Sequence, residues 1–197
     1  MPRTADGGTI GAMSETARPD FHRTVPPGDT ETRAVCRKCG YVHYDNPKIV
    51  VGSVVRAEGG ILLCRRAIAP RRGYWTIPAG YLELNETPQD GARREALEEA
   101  CAAVEVRDLL AVYSVARLSQ VQLIWRATLK GPIAAGDESL EVHLFDWETI
   151  PWDELAFPSV HWALRHDREA ASGAPVPFTN PPGETGDTLP DGTRMQG

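Results

Sequence analysis

Residues 88–100 constrain the fold of this chain more tightly than any other stretch. Thr87 is an N-cap residue, Pro88 stands at the first helical position, and Asp90 follows the cap by three residues, as in a capping box. The helix predicted over 88–100 puts Glu95, Glu98 and Glu99 at i, i+3 and i+4. At about 100° per residue their carboxylates converge on one face. Ala92, Ala96, Leu97 and Ala100 form a small apolar face opposite, suited to packing on a sheet, and Arg94 reaches Glu98 at i+4. Three carboxylates on adjacent turns repel one another unless a positive charge sits among them. A hard cation such as Mg²⁺ or Mn²⁺ is the natural partner. The plain alternative is a charged helix face that simply stands in water.

The surroundings of this helix read as an α/β layered domain. Strands are expected at 49–55, 61–64, 109–115, 121–129 and 142–145, with Glu58-Gly59-Gly60 as a hairpin turn and a second helix at 159–169. Residues 1–30 are rich in Gly, Thr, Pro, Ala and Asp and are expected to be a disordered extension in which Met13 is an alternative start. Residues 169–197, with Pro175, Pro177, Pro181, Pro182 and Pro190, are expected to be a disordered tail. The chain of 197 residues carries 21 Lys+Arg against 27 Asp+Glu, a formal charge of −6, which argues against nucleic acid as a partner and suits a protein that holds cations. No run approaches the roughly 18 apolar residues a membrane helix needs, so no membrane partner is expected. The N-terminus lacks the apolar core of a secretory signal. Four cysteines make no disulfide framework, while Cys36 and Cys39 stand two residues apart, as metal ligands often do. The expected compartment is the cytoplasm.

The segment ahead of the helix weighs against the plain alternative. Gly80 is followed after five residues by Glu86, after seven more by Arg94-Glu95, and then by Glu98-Glu99. This resembles the Nudix box, G-x5-E-x7-R-E-U-x-E-E-x-G-U with U aliphatic, at six fixed positions, with Ala96 and Ala102 in aliphatic places. A chance match at six positions is on the order of one in ten million per starting point. Cys101 replaces the second Gly of the box, at a helix end where a left-handed residue is common and a non-Gly costs about 1–2 kcal/mol. The resemblance continues in order through Cys36-Arg-Lys-Cys39-Gly40, His43–Lys48, Leu63–Arg66, Trp75–Glu83 and Glu138–Glu141. It covers roughly 32–166 and is similar to the Nudix branch with an N-terminal zinc ribbon, which includes plant chloroplast FAD pyrophosphatases and bacterial dinucleotide pyrophosphatases.

The resemblance implies an α/β/α sandwich with a mixed sheet over 48–168, preceded by a small ribbon-like element at 31–47. It implies hydrolysis of the pyrophosphate bond in a nucleoside diphosphate linked to another moiety, such as FAD, ADP-ribose or an NADH-like dinucleotide, with Mg²⁺ or Mn²⁺ as cofactor. Glu95 and Glu99 would be the main metal ligands, Glu98 would complete the cluster, and the backbone at Gly80 would add an oxygen. Arg94 would orient a carboxylate and Glu86 anchor the preceding loop. The general base would come from Glu138 or Glu141, with Glu141 preferred and Glu138 then placed among the substrate-binding residues; both could also be solvated loop acids. Arg65 or Arg66 could clamp phosphate, or serve solubility only. Trp75, Tyr44 and Tyr81 could stack on a base, or belong to the core. Cys36 and Cys39 are candidate zinc ligands, but a closed site needs four. His22 and His43 are the only nearby substitutes, and the alternative is a vestigial knuckle with two free thiols. Related proteins often form homodimers, though no interface is legible here. The rival function is a nucleotide-sensing regulator that keeps the fold without strong catalysis; the intact Glu set argues against it.

Overall fold

The computed structural model describes residues 20–58 and 60–195. They fall into two units divided between Asn46 and Pro47. The expectations for residues 1–19, including Met13, lie outside the described residues, as does Gly59 of the expected hairpin turn.

The first unit is a three-stranded antiparallel sheet of β1 (Phe21–Thr24), β2 (Arg33–Cys36) and β3 (Val42–His43), in that order. Residues 20–30, expected to be disordered with the rest of 1–30, are therefore ordered and belong to the ribbon. Asp29 contributes to this order: it accepts the amides of Thr30 (2.7 Å) and Glu31 (3.0 Å) and the Arg33 Nε (3.0 Å), closing the β1–β2 turn. Arg33 first, then the Glu31 amide, holds the Asp29 carboxyl down at about 2. On the other turn, Gly40 donates to the Cys36 carbonyl and Cys36 to that of Tyr41. The amides of Cys39 and Lys38 point at the Cys36 sulfur and hold its thiol below the ordinary range.

The second unit holds β4 (Lys48–Ala57), β5 (Gly60–Arg66), β6 (Trp75–Thr76), β7 (Ala79–Tyr81), α1 (Pro88–Ala100), β8 (Val104–Val115), β9 (Gln120–Leu129), β10 (Ser139–Phe145) and α2 (Pro158–Ala171). The sheet runs β10-β5-β4-β9-β8, with β6 on β5 and β7 on β4; β4 and β9 are parallel and the other pairs antiparallel, so the sheet is mixed as expected. Alternation sends neighbouring side chains to opposite faces. Val55, Leu62 and Ala127 pack with Ala96 and Ala100 of α1, while Val54, Leu63 and Ile124 pack with Trp162 and Leu164 of α2. Because β4 is covered on both sides, Val51, Val54 and Val55 are fully buried, which explains the unbroken β-branched run. Asp167 of α2 is also fully buried and binds Arg56 of β4 (2.6 Å) and Arg126 of β9 (3.1 Å), fastening that helix across the two parallel strands.

The C-terminal segment corrects the expectation of a disordered tail over 169–197, for the described residues up to 195. α2 runs on to Ala171, and the chain then straps the edge strand β8. Phe178 donates to the Leu110 carbonyl (2.8 Å) and accepts from the Val112 amide (2.9 Å). The Asn180 side chain pairs with both backbone groups of Ser114. The Phe178 ring stacks on His166 at 4.2 Å, and His166 Nδ1 meets the Tyr113 hydroxyl at 2.7 Å. Glu184 accepts from Trp162 Nε1, and Leu189 is buried. Low complexity hid this because a strap needs a few anchors at irregular spacing, and the open edge of β8 supplies the backbone partners. Truncation after Gly173 should therefore lower the melting temperature by at least about 5 °C in calorimetry, given a few kcal/mol of lost apolar burial. An unchanged melting temperature would show that the strap carries no stability.

Candidate active site

The helix that bears the acidic residues is fixed at both ends. Thr87 Oγ1 accepts from the Asp90 amide (3.2 Å) and donates to Asp90 Oδ2 (2.6 Å), a reciprocal cap. At the other end Cys101 takes φ 47°, ψ 27°, and the amides of Cys101 and Ala102 donate back to Leu97 (2.9 Å) and Ala96 (3.1 Å). This left-handed closure is the one that usually selects Gly. Ala92, Ala96 and Ala100 are fully buried, so α1 lies close against the sheet. Leu97, expected on this apolar face, is instead 57% exposed, since one residue turns the side chain about 100° away from Ala96.

The three glutamates divide into two roles. Glu95 and Glu99 are buried, at 8% and 6% exposure, whereas the Glu98 side chain lies at the rim. Arg94 sits among them. It donates to Glu86 through Nε (3.1 Å) and Nη2 (2.8 Å), to Glu95 (2.6 Å) and Glu98 (2.9 Å) through Nη1, and to the Tyr81 carbonyl (3.0 Å). Glu86 also accepts the Glu83 amide at 2.7 Å, so the loop before α1 is tied to the helix. Arg94 holds the Glu86 carboxyl below its ordinary range. Two glycines make room: a Cβ on Gly80 would lie 2.5 Å from the Glu95 carboxylate oxygens, and one on Gly91 would press on Glu86 and Val51.

Among the described residues Glu99 has no such side-chain partner, only a hydrogen bond from the Ala79 backbone. Its Oε2 is buried without a hydrogen bond. Burial first, then the charge of Glu95, pushes its carboxyl from 4.5 up to about 8. Burial also raises Glu95, against the pull of Arg94. A buried, unpartnered carboxylate oxygen beside a second carboxylate, in a cradle that only Gly80 leaves open, fits a hard divalent cation. As they stand, no three acidic, His or Cys side chains among the described residues close around one point, because Arg94 keeps Glu95 and Glu98 on its own guanidinium.

The remaining expected residues come from β5, β6 and β10. In the β5–β10 pairing Ser139 lies opposite Arg66 and Glu141 opposite Arg65, with a register irregularity between Ser139 and Glu141. Glu141, the preferred base, is exposed and engaged by Arg65 at 2.8 Å. The charge of Glu138, by contrast, bears on both Glu95 and Glu99. The loop holding Glu138 is pinned to the end of α1, where Gly136 donates to the Glu99 carbonyl (3.0 Å) and Ala134 to that of Ala100 (2.9 Å). Arg66 is half-buried, with Nε on the Pro70 carbonyl (2.8 Å) and its guanidinium over the Phe157 ring, and it feels the charges of Glu99 and Glu138. Trp75, expected to contact substrate, is core: it is 7% exposed and packs edge-on against Phe145. The exposed ring beside the site is Tyr81, with Lys48 Nζ 5.1 Å from its centroid and its hydroxyl accepting from Gln120. Its position directly after Gly80 was the available signal. Tyr44 lies in the first unit under Arg33, and Cys64 is buried in the sheet, where burial pushes its thiol up.

The NUDIX domain family matches residues 46–168. The chain belongs to the Nudix family. Residues 19–45 match the zinc-ribbon family described as Nudix N-terminal. A Nudix hydrolase from Nitrosomonas europaea, known from its crystal structure, is 46% identical, covers 84% of this chain and 96% of its own, and superposes with a TM-score of 0.78. A MutT-like protein of Streptomyces ambofaciens is 42% identical over 84 residues, 43% of this chain and 53% of its own length. An ADP-ribose pyrophosphatase of Methanocaldococcus jannaschii is 30% identical over 122 residues, 59% of this chain and 71% of its own. The match thus spans only about half the length of the Streptomyces relative.

Two outcomes follow from this Nudix site. Cys101→Gly should relieve the left-handed strain and raise stability by about 0.5–1 kcal/mol in chemical denaturation, part of the gain being offset by unfolded-chain entropy; a loss would mean that the thiol packs favourably there. The second concerns pH. Glu99 binds its proton more tightly folded, near 8, than unfolded, near 4.5, so its contribution to stability is complete below about 4.5 and is lost as pH rises through 8. His161, pushed down to about 4 by burial, acts oppositely but only below its ordinary 6.5. Metal-free protein should therefore lose melting temperature between pH 6.5 and 9, and Glu99→Gln should flatten that slope.

Proposed function

We propose that this Nudix protein hydrolyses the diphosphate of a nucleoside diphosphate joined to a second moiety, with ADP-ribose as the leading substrate and FAD and NADH-like dinucleotides in the same class. The observation that carries the reading is the buried, unpartnered Oε2 of Glu99 on the helix turn after Glu95, whose carboxylate fills the space that Gly80 leaves. Glu95 and Glu99, with Glu98 at the rim and the Gly80 backbone, would hold Mg²⁺ or Mn²⁺. Bound there, the cations would neutralise phosphate oxygens and polarise the attacked phosphorus. The relationship to an ADP-ribose pyrophosphatase supports the substrate class.

The other roles belong to the chain's own side chains. Arg94 orients Glu95 and, through Glu86, holds the loop that carries Gly80 and Tyr81 against the helix. Arg66, its Nε already committed to Pro70, presents its remaining guanidinium edge to phosphate. Arg65 is held by Glu141 and by the Gly73 carbonyl and frames the edge of the site. Glu138 takes the proton of the attacking water, since its charge bears on the glutamate pair and no side chain neutralises it in an ion pair among the described residues. Tyr81, with Lys48 on one face, offers the other face to a nucleobase. The cytoplasm, where free thiols persist, is the expected setting. No helix among the described residues is long and apolar enough to cross a membrane.

The test is AMP release from ADP-ribose, FAD and NADH with Mg²⁺ or Mn²⁺. Glu99→Gln should lower kcat at least ~100-fold, while its melting temperature above pH 7 stays level or rises because a buried charge is gone. Turnover within a few-fold of the parent would remove Glu99 from the reaction.

A further inference from the structure

We infer that the β1–β2–β3 unit folds without the zinc ion characteristic of its ribbon family, and that an aromatic cluster on its Cys36 face takes the place of the missing pair of ligands. A closed structural zinc site takes four protein ligands, and this chain supplies two. No Cys precedes Cys36, and residues 1–19 contain no His either. The other two cysteines, Cys64 and Cys101, lie in the second unit, one within the sheet and one at the end of α1.

The remaining donors are placed against a closed site. β1 pairs with β2 so that Phe21 stands opposite Cys36 and His22 opposite Val35. Partners in an antiparallel pair share a face, and the next residue along faces the other way. His22 therefore projects from the face opposite Cys36. His43 pairs with Ala34 and so shares the face of Cys36. Its ring, however, packs 6.1 Å from that of Phe21, and its Nε2 is held at 3.2 Å by Asp45. Asp20, the acid next to the knuckle in the sheet, is engaged by Arg37. Where a ribbon would bring its second ligand pair towards Cys36, β1 brings Phe21, whose ring meets Tyr41 at 6.5 Å as well as His43.

Zinc normally supplies the folding free energy of such a unit. Here three local devices replace it: the turn closed by Asp29, the knuckle closed by Gly40 to Cys36 and Cys36 to Tyr41, and the Phe21–Tyr41–His43 cluster. Each is made by residues that need no metal to adopt their geometry.

The full-length chain, expressed in zinc-supplemented medium, tests this without reference to catalysis. Elemental analysis should find zinc well below one per chain. Hydrogen exchange at 21–24 and 33–36 should be unchanged by EDTA and by the double change Cys36→Ser, Cys39→Ser, whereas Phe21→Ala should speed it at least ~10-fold. Zinc at one per chain, or at one per two chains in a dimer joined through the cysteines, would overturn the inference. So would loss of protection on chelation or in the double variant, or unchanged exchange in Phe21→Ala.

Discussion

Two carboxyl groups held in a dry place govern the second unit. Burying Glu95 and Glu99 on one helix face costs free energy twice, once for desolvation and once for mutual repulsion. Arg94 opposes this at Glu95 by donating to it, and Glu86 holds Arg94 from the far side. Glu99 has no such side-chain partner among the described residues, and burial and the charge of Glu95 push its carboxyl up to about 8 against the Ala79 backbone hydrogen bond and the charge of Arg66. The geometry around the pair, with Gly80 open to Glu95 and Gly91 open to Glu86, serves to bring oxygens close rather than to add contacts. Stability is given up here, as the raised Glu95 and Glu99 carboxyls record.

Such a site demands rigid support, and the packing supplies it. Ala92, Ala96 and Ala100 let α1 approach the sheet more closely than larger side chains would, and both helix ends are closed by hydrogen bonds. On the opposite face α2 is fastened by Asp167 to Arg56 and Arg126, which reach it from the two parallel strands. The strap over β8 then satisfies the backbone groups of Leu110, Val112 and Ser114 at what would otherwise be an open sheet edge. The sheet is thus braced on both faces and along one edge.

Much of this was legible in the chain itself. The cap at Thr87, the spacing from Gly80 to Glu99 and the β-branched runs depend on local periodicity, and each helix and long strand overlaps its expected range, though β8 begins at Val104 rather than 109 and β10 at Ser139 rather than 142. What stayed hidden depends on tertiary placement. Trp75 and Tyr81 are both aromatic residues near the box, yet only pairing with β5 buries the first, and only its position beyond Gly80 exposes the second. Leu97 reads as apolar and is exposed; Phe178 and Leu189 sit in a proline-rich stretch and are anchors. Periodicity also says nothing about Asp29, whose effect is to close one turn.

The difference between Glu138 and Glu141 shows how far register matters at an edge strand. Side chains alternate in regular β structure, so a strand that ran evenly through Ser139 would set the direction of Glu141 by parity alone. The irregularity between Ser139 and Glu141 breaks that parity. It leaves Glu141 opposite Arg65, on the strand, in an exposed ion pair. Glu138 remains in the preceding loop, which Ala134 and Gly136 tie to the carbonyl end of α1, and so its carboxylate shares the field of Glu95 and Glu99. A base must be both close and unneutralised, and of the two acids it is Glu141 that stands in an ion pair, with Arg65.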